Sequence, residues 1–143
     1  MILFFDTSAL IKKYIQENGS DFVDKYFQQA SKVIISPVTY IESMSTIKRI
    51  LIEKNITIKQ YNQIKDDIIF DLEYFTIPSF SEEIEYYSVM FIEKYQLKSL
   101  DSIQLSSAHS FKSDIDIFLT ADNKLAKAAS NEGFSVKNPL IIQ

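Results

Sequence analysis

Nineteen acidic side chains are spread along 143 residues, and four of them occupy positions that suit shared chemistry. Asp6 closes the unbroken apolar run Ile2-Leu3-Phe4-Phe5. Glu42 lies one turn into the helix expected after a second apolar run, Val33-Ile34-Ile35. Asp101 sits in the first turn of the helix opening at Leu100, and Asp122 follows Leu119-Thr120-Ala121. Carboxylates held close together repel one another and raise each other's pKa unless a cation holds them. Hard oxygen donors of this kind suit Mg²⁺ or Mn²⁺, which keep several waters and can take substrate phosphates in their open positions. Bound to such a group, a divalent ion would acidify water and stabilise charge on phosphoryl oxygens. Competing chemistries are scarce. The absence of cysteine excludes a disulfide scaffold, a thiolate zinc site and a cysteine nucleophile. The one histidine, His109, lies about 12 Å beyond Asp101 along the same expected helix, too far to share its chemistry.

The elements that must position these acids follow from hydrophobic pattern. An apolar run without alternation suits a strand buried on both faces, and Thr7 or Ser8 is expected to cap a short helix behind it. A helix is expected over 21–30, a short strand at 33–35, and a helix start at Ser36-Pro37, with the hydroxyl as cap and proline at the first helical position. Ile41, Met44, Ile47 and Leu51 then mark one long helix, and Tyr61, Ile64, Ile68 and Leu72 a second. The short link between them predicts an antiparallel hairpin around 38–74. Phe75-Thr76-Ile77 reads as a weak third strand. Helices follow from Ser81 and from Ser99, each with serine as cap. A strand at 116–120, a helix over 123–132 stopped by Gly133, and a last strand at 134–136 complete the chain.

Strands alternating with helices predict an α/β fold, a three-layer α/β/α sandwich on a mostly parallel sheet of about five strands. Residues 1–143 read as a single domain. Parallel strands open their carboxyl ends onto one rim, so Asp6, Glu42 and Asp122 should gather there. Asp101 follows a helix, and this geometry does not force it to the same place. Asp116 begins its strand and should lie at the opposite rim. Phe4, Phe5, Phe22, Phe27, Phe91 and Phe118 read as core.

The net charge of −4 is low for a nucleic-acid binder, unless several acids converge on a bound cation. Lys12, Lys13, Lys124 and Lys127 lie within two turns of the expected rim and could steer phosphates. No apolar run is long enough for a membrane span, and the N-terminus has no signal-peptide pattern, so a cytoplasmic protein without membrane contact is expected.

Four segments together resemble the PIN domain family, and within it the VapC-type toxin ribonucleases of bacterial toxin–antitoxin pairs. They are Phe5-Asp6-Thr7-Ser8-Ala9-Leu10, Tyr40-Ile41-Glu42, Leu100-Asp101-Ser102-Ile103-Gln104-Leu105 and Phe118-Leu119-Thr120-Ala121-Asp122-Asn123-Lys124-Leu125. The resemblance implies strand order 3-2-1-4-5 and brings Asp101 to the rim. It implies Asp6, Glu42, Asp101 and Asp122 as catalytic, metal-binding acids, with Ser8 and Thr120 supporting them by hydrogen bonds. It further implies an Mg²⁺- or Mn²⁺-dependent endoribonuclease acting on RNA, a homodimer, and an antitoxin partner that crosses the active site or the groove beside the hairpin. The alternative is a catalytically silent PIN-like domain serving as a binding or scaffold module.

Overall fold

Two to four residues suffice for each strand of this molecule, because Leu3, Phe4, Phe5, Val33, Ile34, Phe118 and Leu119 are buried between helices. The structure, a computed structural model, describes residues 1–141. In chain order the elements are β1 (Ile2–Phe5), α1 (Thr7–Leu10) running into a 3-10 turn at Ile11–Lys13, α2 (Ser20–Gln29) and β2 (Lys32–Ile34). The long helices α3 (Thr39–Ile52) and α4 (Ile58–Leu72) follow, then α5 (Glu82–Tyr95) and α6 (Ser99–His109). The chain ends on β3 (Ile117–Leu119), α7 (Asn123–Asn131) and β4 (Val136–Lys137).

The strands form one parallel sheet in the order β2-β1-β3-β4. Thr76 joins its edge through a single parallel bridge to Ile34. The expected order therefore holds, but the expected third strand shrinks to that bridge, and the sheet has four strands among the described residues. Pro78 lies two residues on and lacks the N–H that would continue the ladder.

Side chains alternate across the sheet. Leu3 and Phe5 pack on one face with Leu10 and Val23, while Phe4 and Phe118 pack on the other with Phe91, Leu105 and Leu125. The rings of Phe4 and Phe118 stack 4.9 Å apart, and Phe5 meets Phe27 at 4.8 Å. Fully burying each such side chain is worth about 1.5–3 kcal/mol, so these aromatics hold the two helical layers onto strands too short to be stable alone. Phe22 and Phe27 are only half-buried, at the margin of the core.

The helical hairpin forms as expected. Thr57 and Gln60 make a reciprocal capping box at the start of α4 (3.1 and 2.8 Å), and Ile47 packs with Ile68 and Ile11. Ile41, expected in that buried stripe, is 69% exposed. Ser43, two positions on and in line with buried Thr39 and Ile47, is buried in its place.

Three expected caps are corrected. Asp6, and not Thr7 or Ser8, caps α1. Ser36 caps only a turn: its Oγ accepts from the Val38 N–H at 3.1 Å, and α3 starts later, at Thr39, with no side-chain cap. Ser99 is the first residue of α6, which likewise has no side-chain cap. Gly133 does end α7, at φ +91°, a conformation that suits glycine.

Candidate functional site

Strands β1 and β3 lie side by side, with the crossovers leaving them in opposite directions. Open α/β sheets bind ligands in the crevice beyond such a switch point. Asp6 is the first residue past β1, and its backbone still pairs with β3 through Leu119 O (2.9 Å). Its carboxylate is buried at 3% exposure. Three donors address one oxygen, Oδ2: the Ser8 N–H at 3.3 Å, the Ser8 hydroxyl at 2.5 Å and the Thr120 hydroxyl at 2.9 Å. No hydrogen bond to the other oxygen, Oδ1, is formed by the described residues.

Ser8 and Thr120 do more than hold Asp6. Ser8 Oγ accepts from the Ala121 N–H at 3.0 Å, and Thr120 Oγ1 accepts from the Asp122 N–H at 3.1 Å. The two hydroxyls thus tie the ends of β1 and β3 into one network. Asp122 sits at its margin as the N-cap of α7, with Oδ1 accepting from Leu125 N–H at 2.8 Å.

Glu42 reaches the same rim from α3. Its Oε1 accepts from the Thr7 hydroxyl at 3.1 Å and from Gln104 Nε2 at 2.9 Å. Gln104 is fully buried, and its Nε2 also meets the hydroxyls of Thr7 and Thr39 at 2.9 and 3.1 Å. One amide therefore links α6, α1 and α3 behind the acids. Sequence reasoning offered Thr7 only as a helix cap and assigned no role to Thr39 or Gln104. The signal was present for Gln104, which follows Asp101 by three positions and so shares its helix face.

Asp101 is brought to the rim as well. Asp6, Glu42, Asp101 and Asp122 all line one cavity of about 380 Å³. Electrostatics records their proximity. Burial first, and then the charges of Glu42 and Asp101, push Asp6 up to about 6, although the hydroxyls of Ser8 and Thr120 pull the other way. Burial, then Asp122 and Glu42, raises Asp101, while Lys98 and Lys124 moderate the shift. Among the described residues, no three acidic or histidine side chains are arranged to enclose a metal ion by themselves.

Of the four lysines expected near the rim, only Lys12 lines this cavity. Its ammonium is committed to Glu17 at 2.9 Å. Lys13 pairs with Asp71 at 2.9 Å, and Lys124 donates to the Gln96 carbonyl at 2.6 Å. Lys127 lines a separate hollow beside Lys94 and Tyr95. His109 lies outside the cavity, with its ring 4.2 Å from that of Tyr87 and 5.8 Å from that of Phe91, and burial lowers its pKa. Asp116 occupies the opposite rim, where its Oδ2 accepts from the Ile2 N–H at 2.7 Å.

The PIN domain family model matches residues 3–131 of the chain. The chain belongs to the PIN domain family. No curated protein sequence matches it. Solved structures share the fold of this PIN domain at low identity. A toxin–antitoxin complex from Klebsiella pneumoniae is 21% identical, covering 98% of this chain and 99% of that one, with a TM-score of 0.70. FitAB bound to an IR36 DNA fragment is 19% identical, covering 100% and 98%, with a TM-score of 0.72. VapC20 of Mycobacterium tuberculosis, described as a toxin that cleaves the sarcin-ricin loop, is 14% identical over 92% and 95%, with a TM-score of 0.66. No helix of the PIN domain among the described residues is long and apolar enough to cross a membrane.

Proposed function

We propose that this PIN domain is a metal-dependent endoribonuclease, the toxin of a type II toxin–antitoxin pair, with Asp6, Glu42, Asp101 and Asp122 as its catalytic and metal-binding acids. One observation carries the reading: four carboxylates from separate parts of the chain face one cavity, and burial, with the charges of Glu42 and Asp101 added to it, makes the most buried of them costly to ionise. Membership of the PIN domain family supports it, as do neighbours described as a toxin–antitoxin complex and as a toxin that cleaves the sarcin-ricin loop.

The donor set fits a hydrated Mg²⁺ or Mn²⁺. It is built of oxygens, Asp6 Oδ1 has no protein donor, and Mg²⁺ commonly takes one or two carboxylates and fills its remaining positions with water and phosphate. An enclosing three-carboxylate cage is not needed. Asp6 and Asp101 would be the principal ligands. When bound, the cation supplies an acidified water and stabilises charge on the phosphoryl oxygens. The chain's own residues orient the rest. Ser8 and Thr120 hold Asp6 by Oδ2, so that its second oxygen is the one presented. Thr7 and Gln104 fix Glu42 in the same way through Oε1, leaving Oε2 to hold a water or the cation, and Asp122 can do the same from the cap of α7. An antitoxin chain and a second copy of the PIN domain are the protein partners this reading implies.

The test is cleavage of RNA by the purified protein with Mg²⁺ or Mn²⁺ and with EDTA. Cleavage should require the ion and disappear in Asp6→Asn and Asp101→Asn proteins that remain folded. Undiminished cleavage by the Asp6→Asn protein would refute the mechanism, and the lack of any metal effect on cleavage or stability would favour the silent binding module.

A further inference from the structure

The cavity that holds the acids also holds the only arginine of the chain. Fifteen side chains are lysine or arginine, and Arg49 alone carries a guanidinium. It lines the acidic cavity with Glu42 and Thr46, which precede it on α3 by seven and three positions. That spacing puts the three residues on one face of the helix. Glu42 and Arg49 are separated by about 10 Å along the axis.

Arg49 is uncommitted. No ion pair to its guanidinium occurs among the described residues, although the molecule's other close pairs, Lys12–Glu17, Lys13–Asp71 and Lys94–Glu132, are formed. Glu53, four positions on at the C-cap of α3, forms no ion pair with it, and Glu42, the acid within α3, has its Oε1 occupied by Thr7 and Gln104. The cavity's other cation, Lys12, is buried and held by Glu17. A planar guanidinium in a cleft, with no protein carboxylate on it, is suited to take two phosphate oxygens side by side.

We infer that Arg49 anchors a phosphate of the RNA strand next to the phosphate that is cut. The inference rests on the nuclease reading above and adds a binding position to it. The separation from Glu42 sets the anchor off from the acids by more than one phosphate group. A continuous strand whose scissile phosphate lies at Asp6 and Asp101 must bring a neighbouring phosphate along the same cavity, and α3 carries Arg49 in that direction. Ile11, Ile15 and Ile50 line the same cavity and offer an apolar wall with no groups to read base edges. The contact is to the backbone and independent of sequence.

The experiment is fluorescence anisotropy of a short labelled single-stranded oligoribonucleotide of mixed sequence, in Mg²⁺, across a range of salt. All proteins carry Asp6→Asn so that the RNA stays intact. Arg49→Met should weaken binding about tenfold and reduce the slope of log affinity against log salt by about 0.7, the loss expected for one phosphate contact on a single strand. Arg49→Lys should keep the slope while recovering only part of the affinity, because an ammonium cannot reproduce the fork. Lys59→Met, which removes an exposed charge outside the cavity, is the control and should leave both unchanged. Thermal midpoints should not move, since Arg49 is exposed. An Arg49→Met protein that behaves like Lys59→Met would overturn the inference, and is the result expected if Arg49 serves a carboxylate of a protein partner. Failure of the protein with Asp6 intact, as well as of this parent, to bind RNA in Mg²⁺ would instead bring down the nuclease reading, and this inference with it.

Discussion

Asp6 and Asp116 stand at opposite ends of neighbouring strands, and both close a gap between β1 and β3. Asp116 is exposed and does so in an ordinary way, accepting from the Ile2 N–H while its own N–H bonds to the Ile2 carbonyl at 2.8 Å. Water shares its charge. Asp6 accepts as many bonds as one oxygen can use, yet it is buried among other acids and its proton affinity rises by two orders of magnitude, from the usual 3.8 to about 6. The same residue type is a clasp at one rim and a strained charge at the other. What differs is the surroundings: α3 and α6 in their first turns and α7 at its cap bring Glu42, Asp101 and Asp122 to the cavity that Asp6 lines.

The largest effect expected from this contrast is on cleavage. Asp6→Asn should lower RNA hydrolysis about a thousandfold or more, as for groups that act as a unit, while Asp116→Asn should leave the rate unchanged in the same assay. Equal losses in the two proteins would erase the distinction between the rims.

Stability should move the other way. Asp6 is protonated in both folded and unfolded chains below about pH 4. As pH rises towards 6 the unfolded chain ionises first, so stability falls through this window, and above it the buried charge costs about 3 kcal/mol. In EDTA at neutral pH, Asp6→Asn should therefore be the more stable protein by about 2–3 kcal/mol, with asparagine still competent to cap α1. That gain should vanish near pH 4, and Asp116→Asn should stay within about 0.5 kcal/mol of the parent throughout. Denaturant unfolding at several pH values measures all three.

A bound cation should cancel the penalty. Mg²⁺ at a hundred times its dissociation constant should stabilise the parent by about 2.7 kcal/mol and leave Asp6→Asn unmoved, which calorimetry with and without the ion can read. The support behind the acids should matter somewhat less. Gln104→Met keeps the volume but takes a donor from Glu42 and Thr39, at an expected cost of about 1–3 kcal/mol. The smallest effect separates the two roles of Asp122: Asp122→Ala should cost about 1 kcal/mol through the lost cap, whereas Asp122→Asn should keep the cap and lose only the charge.

Much of this was legible beforehand, for particular reasons. Phe4, Phe5 and Phe118 announced central strands because buried strands need no polar face. Gly133 announced the end of α7 because its backbone is left-handed. Other signals misled where neighbours overruled local preference. Ser36 and Pro37 carry the pattern of a helix start, but the Ser36 hydroxyl is used by a turn. Thr76 pairs with only one residue, because proline interrupts the ladder. Lys13 and Lys124 lie near the rim in sequence, yet each is drawn aside by a nearer acceptor, Asp71 or the Gln96 carbonyl.

The succession of strands and helices along the chain, the burial of the aromatic sheet and the placing of four acids at strand ends, helix caps and first helical turns are properties of residue type and local spacing, and the amino-acid sequence determined them unaided. Local spacing left Asp101 unplaced and the family resemblance alone implied it at the rim; only tertiary structure could decide that Gln104 braces Glu42 from another helix, and that Arg49 lines the cavity of the acids without an ion-pair partner among the described residues. Such relations depend on which helix ends meet across the rim, and no local pattern encodes a distance between side chains almost a hundred residues apart.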